Sequence, residues 1–356
     1  MDSGWPSGTP RSTPSIGACG GGRACTGPCC DERAADRPVV PTRPAHDEGG
    51  VAVAETLTIV TVLYRSSGML AETLPTWVRA AHGLPVRFVF ADNWPEDESA
   101  KVIAGCLDDD RYRYLPDSSN PGFAAGCNRA VAAVTSSHVL LLNPDVWLPE
   151  NALARICATI EADPDRPIAV GLAMHGGEYV GIDLHPVSLF IDRSASAPRG
   201  PLGPSGGAAV FPTALFHRFG GFYEHLFAWG EDADLAFRLY AAGLRTHRLD
   251  LMLPHAGGHS VEGDNKLQGF RAFLLARNRL LVAARTFTWP LMLVAIPILA
   301  LAHLALAARR ARQGLLRPFL RGVGRGLLEA PAARRQWTGE RFGFASLFSY
   351  LKVRSA

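Results

Sequence analysis

The sequence predicts an α/β fold, a mostly parallel sheet with helices packed on both faces. Three observations lead there. Short continuous runs of apolar, β-branched residues recur along the chain, as strands buried on both faces require. Stretches of helical periodicity separate them through short links, the alternation of crossover-connected parallel strands. The strand ends carry Tyr64, Asp92 and Asn143-Pro-Asp145, where sheets of this kind bind ligands.

Taken in order, the first buried run covers 57–64, followed by a helix over 70–81 that His82-Gly83 ends. A strand over 86–92 ends on an acid. A helix over 98–107, a short strand over 112–115 and a helix over 122–134 follow. The run 138–143 is again a buried strand, and helix 150–162 and strand 167–172 continue the alternation. Residues 176–206 lose the pattern and are expected to form an irregular, acceptor-side loop region. Helices are expected over 231–242, stopped by Gly243, and over 268–285.

The chain has 356 residues, enough for one large domain with appendages. Apolar residues make up 47%, so a sizeable core can form, while only 19% are charged, low for a wholly soluble enzyme. The net charge of +3 hides an asymmetry. From Ala305 onward there are eleven basic residues against two acids, a net of +9, so the remainder carries −6. A basic tail on an acidic body suggests contact with anionic lipid or nucleic acid, and nothing in the body resembles a nucleic-acid reader. Of the seven cysteines, Cys19, Cys25, Cys29 and Cys30 cluster near the start without paired metal spacing, and the others are scattered. That usage suits a reducing compartment. Residues 1–55 read as a disordered tail without a secretory signal, 56–285 as the main α/β domain, and 286–356 as membrane-associating helices.

The stretch 289–308 is apolar and about 20 residues long, the length that spans a bilayer. Basic residues flank it on both sides: Arg271, Arg277, Arg279 and Arg285 before, Arg309, Arg310 and Arg312 after. A single span would export one cluster, against the positive-inside rule. A re-entrant or in-plane element is therefore favoured over a span, with a buried C-terminal helix as the plain alternative. The basic, amphipathic stretch 315–328 suits an interfacial helix.

Several residues have the chemistry for a site. Asp145 at a strand end offers oxygen ligands to a hard divalent ion, though an Asn-Pro-Asp turn has the same sequence. In Trp229-Gly-Glu-Asp-Ala-Asp234, acids in a first helical turn suit the helix dipole. Asp234 can pair with Arg238 on the surface, whereas Asp232 shares a face with Leu235, Ala236 and Leu239 and so points inward, as a base in a cleft would. Asp92 is either a ligand contact or an Asx turn. The glycines of Asn120-Pro-Gly-Phe-Ala-Ala-Gly-Cys-Asn128 allow close backbone approach to a phosphate or sugar, or simply open a helix. His255 and His259, in a Gly-rich loop, are each a possible metal ligand beside Asp145.

Together, and in this order, these segments resemble glycosyltransferase family 2, with the GT-A fold and closest to its rhamnosyl- and galactofuranosyltransferase-like members. The resemblance covers about 57–285. It rests on the Asn120–Asn128 segment, on Leu141-Leu-Asn-Pro-Asp145, on Gly220-Gly-Phe-Tyr-Glu224 through Glu231-Asp-Ala-Asp234, and on Arg277-Asn-Arg279. It implies an inverting glycosyltransferase, of hexosyl or pentosyl class, with Mg²⁺ or Mn²⁺ on Asp145, Asp232 as the base, and His255 rather than His259 on the metal side. It implies nucleotide-sugar contacts from Tyr64, Asp92, Asn120, Gly122, Phe123, Asn128, Asn143 and Glu231. The expected donor is a UDP- or dTDP-sugar. A saccharide or lipid-linked saccharide is the expected acceptor, in cell-envelope polysaccharide synthesis at the cytoplasmic face of the plasma membrane. No nucleic-acid partner is expected. Arg65 and Asp92-Asn-Trp-Pro-Glu-Asp97 depart from the family pattern and line the base pocket. That motivates an alternative, a non-catalytic saccharide- or nucleotide-binding protein on a decayed GT-A scaffold. A dinucleotide-dependent oxidoreductase is disfavoured because Tyr64-Arg-Ser-Ser-Gly68 holds no G-x-G-x-x-G.

Overall fold

Seven buried residues in a row set the centre of the molecule: every residue of β1 (Leu57–Leu63) is buried. Its side chains alternate between two apolar layers, as a strand covered on both faces requires. The computed structural model describes residues 56–174, 176–257 and 265–352. The expected disordered tail with its four cysteines, and His259, lie outside the described residues.

After β1 come α1 (Ser67–Ala80), β2 (Val86–Asp92), α2 (Ser99–Cys106), β3 (Tyr112–Pro116), α3 (Phe123–Val131), β4 (His138–Leu142), α4 (Ala152–Ala162) and β5 (Ile168–Met174). These follow the sequence reading closely. Next are β6 (Gly177–His185), β7 (Leu189–Ser194), β8 (Ala208–Pro212), α5 (Thr213–Arg218), α6 (Glu231–Ala241) and β9 (His247–Pro254). The chain ends in α7 (Asn265–Thr286), α8 (Trp289–Arg312), α9 (Leu316–Gln336) and α10 (Phe344–Lys352). The sheet order is β3-β2-β1-β4-β8-β5-β6-β7, with β9 beside β5. β1 to β4 pair in parallel, β8 runs antiparallel between β4 and β5, and β9 is parallel to β5. On one face Ile59, Leu63, Phe88 and Phe90 pack with Leu70, Leu74 and Trp77 of α1. On the other, Val60, Val62 and Val89 pack with Ala124, Cys127 and Val131 of α3.

Two expectations change. While 195–206 are irregular as expected, residues 177–194 are not, because β6 and β7 form a hairpin there. Its alternation is disguised by a buried ion pair, Arg193 with Asp183 at 3.1 Å, and by Gly181 at φ +67°. A Cβ at position 181 would lie 2.4 Å from the Gly203 carbonyl, so the close crossing needs glycine. The other change concerns residue 286, which does not divide two packed bodies. Phe287 and Phe342 stack edge-on against Phe237 of α6, each at 5.2 Å between centroids. Tyr350 of α10 meets Tyr240 at 5.5 Å and donates a hydrogen bond to Asp183. The C-terminal helices thus share a core with the domain that precedes them.

Candidate active site

Strand ends and one turn build the site. β4 ends at Leu142, and the chain then presents Asn143 and Asp145, both half-buried. The segment after β9 runs alongside: Val146 and His255 bridge, Trp147 N–H donates to Pro254, and Ala256 N–H donates to the Asp145 carbonyl. This backbone zipper holds the His255 Nε2 2.9 Å from Asp145 Oδ1. Asp145 is thus more than a turn residue.

The turn Ser205-Gly206-Gly207, before β8, links this pair to α6. Asn143 N–H donates to the Gly207 carbonyl at 3.1 Å. Gly206 N–H donates to Asp232 Oδ2 at 3.0 Å, and the Ala233 N–H donates to Oδ1 at 2.8 Å. A side chain at 206 would press on Phe123 and approach Asp232 Oδ2, so glycine keeps the space beside the carboxylate open. The Asp232 carboxyl is pushed up to about 6, chiefly because protein has replaced water around it, with the two amide donors opposing and the Asp192 charge adding to the rise. Glu231 is buried beside it. Burial, and after it the Asp232 charge, raise its carboxyl well above the usual range.

What aims Asp232 is the preceding loop. Phe227, Trp229 and Gly230 all have positive φ. Such a path is held only by strong outside contacts. Asn278 of α7, fully buried, donates its amide to the carbonyls of Leu226, Ala228 and Trp229. Arg277 donates to His225 and Leu226. Arg277 and Asn278 are therefore the clamp on the loop that carries the candidate base, while Arg279 donates to the Ser188 carbonyl.

The other residues expected to contact the nucleotide sugar have these protein partners. Asp92 reaches the end of β2 with its carboxylate buried, taking hydrogen bonds from Tyr114 (2.6 Å) and from Trp94 N–H (2.8 Å). Burial raises its carboxyl against those two donors. Tyr64 lies near Trp94 at 5.7 Å, and the Arg65 guanidinium sits 4.4 Å over the Trp94 ring. Arg65 and Trp94, which depart from the expected pattern, thus make with Tyr64 an aromatic and cationic shelf at the ends of β1 and β2. Asn128 ties α3 to the Phe222 backbone and to Glu224. Gly122 (φ +95°) is glycine because a Cβ would lie 2.6 Å from the Phe227 ring, so its close approach is to protein. Phe123 stacks on Phe222 at 6.2 Å. Asn120, half-buried at φ +46°, opens the turn before α3.

Asp234 corrects the sequence reading. It was expected on the surface and is completely buried, 2.8 Å from Arg238 and 3.0 Å from Arg285. Arg238 also donates to the carbonyls of Phe219 and Gly221. A helical face cannot separate Asp232 from Asp234 here, because α6 is enclosed all round. Ala236 and Phe237 pack into one core cluster, and Leu235 and Leu239 into another.

Asp192, on β7, is the residue that sequence reading missed. The Ser205 hydroxyl donates to it at 3.5 Å, from the same turn that holds Asp232. Though its surface is open, surrounding protein raises its carboxyl, opposed by Ser205, His255 and Arg271. No spacing or motif marks it, since only the hairpin brings it near Asp232. Asp192→Asn should lower the Asp232 carboxyl by removing a like charge, and the acid limb of the kcat/KM–pH profile should move to lower pH. An unmoved limb would mean that the two carboxylates do not interact.

Among the described residues, no cluster of three or more His, Cys, Asp or Glu side chains stands ready for a metal. The Asp145–His255 pair supplies one carboxylate oxygen and one imidazole nitrogen side by side. Mg²⁺-type ions are commonly held by one or two carboxylates, with substrate phosphates and water completing the shell. The donor set fits a divalent ion that arrives with a diphosphate.

The comparisons with known proteins agree with this architecture. The glycosyl transferase family 2 profile matches residues 58–219, and that of the N-terminal domain of galactosyltransferase matches residues 202–257. The chain matches no curated protein. Among solved structures it is similar to GalNAc-T7 with UDP, GalNAc and Mn²⁺, at 12% identity and TM-score 0.51, over 67% of this chain and 49% of that one. A Pyrobaculum calidifontis mannosyltransferase in complex with GDP-Man and Mn²⁺ aligns at 18% identity over 80% of this chain and 88% of that one, with TM-score 0.49. S. aureus TarS 1-349 in complex with UDP-GlcNAc aligns at 14% identity over 79% and 88%, also with TM-score 0.49. The fold is thus that of the GT-A glycosyltransferases. Residues 58–219 carry the match to glycosyl transferase family 2, and the similarity to GalNAc-T7 is one of fold.

Proposed function

We propose that the protein is an inverting glycosyltransferase in which Asp232 is the general base. The observation that carries this reading is the Ser205-Gly206-Gly207 turn. It holds the Asp232 carboxylate on one side and the Asn143–Asp145 strand end on the other. An acceptor hydroxyl gives its proton to Asp232 and attacks the anomeric carbon. The bond from that carbon to the phosphate oxygen breaks on the opposite face, and the nucleoside diphosphate leaves. Asp145 and His255 would hold Mg²⁺ or Mn²⁺, which supplies charge neutralisation for the departing diphosphate. GalNAc-T7, of the same fold, is seen with UDP and Mn²⁺, which supports the UDP-linked of the two expected donors, and that metal.

The shelf of Tyr64, Arg65 and Trp94 stacks the nucleotide base, and Asp92 shapes it from behind by fixing Trp94. Asn143 and Phe123 border the sugar, while Asn120, Gly122, Asn128 and Glu231 support that border. The acceptor is a saccharide or a lipid-linked saccharide, used in envelope polysaccharide synthesis at the cytoplasmic face of the plasma membrane. The exposed apolar surface of α8, beside the catalytic unit, supports a lipid-linked acceptor.

Asp145→Ala is expected to weaken donor binding in the presence of Mn²⁺ and to leave the weaker, metal-free binding unchanged. Titration calorimetry with and without chelator reads both. Equal donor affinity with and without metal in the parent protein would contradict the assignment.

A further inference from the structure

α8 is long and apolar enough to cross a membrane, at 24 residues or about 36 Å. Its packing says otherwise. Leu291, Met292, Leu299, Ala302 and His303 form a stripe buried against the protein. The rest of its circumference is apolar and open, with Leu293, Leu301 and Leu304 each about 68–69% exposed. α8 runs back along α9 in the opposite direction: Arg334, late in α9, lies 4.1 Å over the Trp289 ring, and Phe319, early in α9, lies 5.9 Å from the His303 ring. α9 in turn packs closely on α7. A Cβ at Gly322 would meet the Phe273 carbonyl at 2.3 Å, and one at Gly326 the Arg277 carbonyl at 2.9 Å. α7 carries the clamp on the loop before Asp232, so it belongs to the water-facing catalytic unit. Drawing α8 across a bilayer would pull α7, α9 and their arginines into hydrocarbon, at several kcal/mol for each charge.

We propose that α8 lies flat in one leaflet of a membrane, both ends on the same side, with Leu293, Ile296, Leu301 and Leu304 among the acyl chains. The partner is an anionic lipid surface. Arg309 and Arg312 at the end of α8, and Arg317 and Arg321 early in α9, are exposed beside the apolar face. Lipid phosphates supply their counter-charge, whereas the same basic face of a second copy would not. The inference rests on the reading that the enzyme works at a membrane, and it adds the orientation. An in-plane anchor keeps the acceptor site at a fixed, short height above the lipid headgroups.

The test uses the full chain. It should float with vesicles containing phosphatidylglycerol, and the bound fraction should fall about tenfold or more with phosphatidylcholine alone. Leu293→Ser/Leu301→Ser/Leu304→Ser should abolish flotation while donor turnover in solution persists. Cysteines introduced by Pro290→Cys and Gln313→Cys report the two ends of α8. In inverted membrane vesicles from expressing cells, both should react with an impermeant maleimide, read by peptide mass. Protection of one end until detergent is added would overturn the flat orientation and leave attachment standing. Unchanged flotation of the triple variant would overturn the apolar face as the anchor. A triple variant that alters oligomeric state in sedimentation but still floats would assign the face to a second copy. Donor turnover, measured in parallel, keeps failure of the anchor distinct from failure of the catalytic reading.

Discussion

Asp232→Asn is expected to lower kcat by roughly 10²- to 10⁴-fold, the usual contribution of a positioned general base, with donor affinity nearly unchanged. The amide has the shape of the carboxylate and can still accept one hydrogen bond from Gly206 or Ala233, but it takes no proton. The fold should survive, because the surroundings already resist the charge on Asp232. Its carboxyl is raised to about 6, so the folded state favours the neutral form relative to the unfolded chain. The sign for activity is the opposite. In the proposed mechanism the ionised carboxylate is the active form, so turnover should rise with pH through about 6 and level off above it. Single-turnover kinetics with saturating acceptor separate the chemical step from binding. A variant that turns over at the parent's rate would remove Asp232 from the mechanism.

Asp234→Ala, two residues on, is expected to act on stability instead, by about 3–5 kcal/mol, the cost of leaving buried charge without its partner. Asp234 and Arg238 have no solvent exposure, and Arg285 has little. Water cannot replace the lost carboxylate. Had the pair lain on the surface, as helical spacing suggests, the loss would be about 0.3–0.5 kcal/mol. Equilibrium urea unfolding distinguishes the two, since the figures differ about tenfold. A loss under about 1 kcal/mol would mean that the network relaxes and Arg238 finds other partners.

The misplacement of Asp234 shows where sequence reading reaches its limit. The strands β1, β2 and β4 are legible because both of their faces are buried and their residues are continuously apolar. α6 is also buried on every side, but with a buried ion pair in place of apolar residues, so a two-sided reading assigns one acid inward and the other outward. The hairpin β6–β7 is hidden for the same reason, through Arg193 and Asp183. The order of the segments that carry them singles out Asp145, Asp232 and His255, and the structure places Asp145 beside His255 and links the strand end to Asp232 through one glycine turn. Asp192 was not legible, because its place beside Asp232 depends on a tertiary approach of β7 to the Ser205 turn. Asn278 was visible as part of a short segment, but its work as a clamp on three carbonyls appears only in three dimensions.

The most direct measurement is release of nucleoside diphosphate from a panel of nucleotide sugars by the purified full chain, with Mn²⁺ and then with chelator. Asp145, His255 and Asp232 acting as described predict release from at least one donor, with metal and not without it, increased by a saccharide or lipid-linked acceptor and lost in Asp232→Asn. Binding of nucleotide sugars with no release under any of these conditions would contradict that account and would leave a binding protein on a glycosyltransferase scaffold.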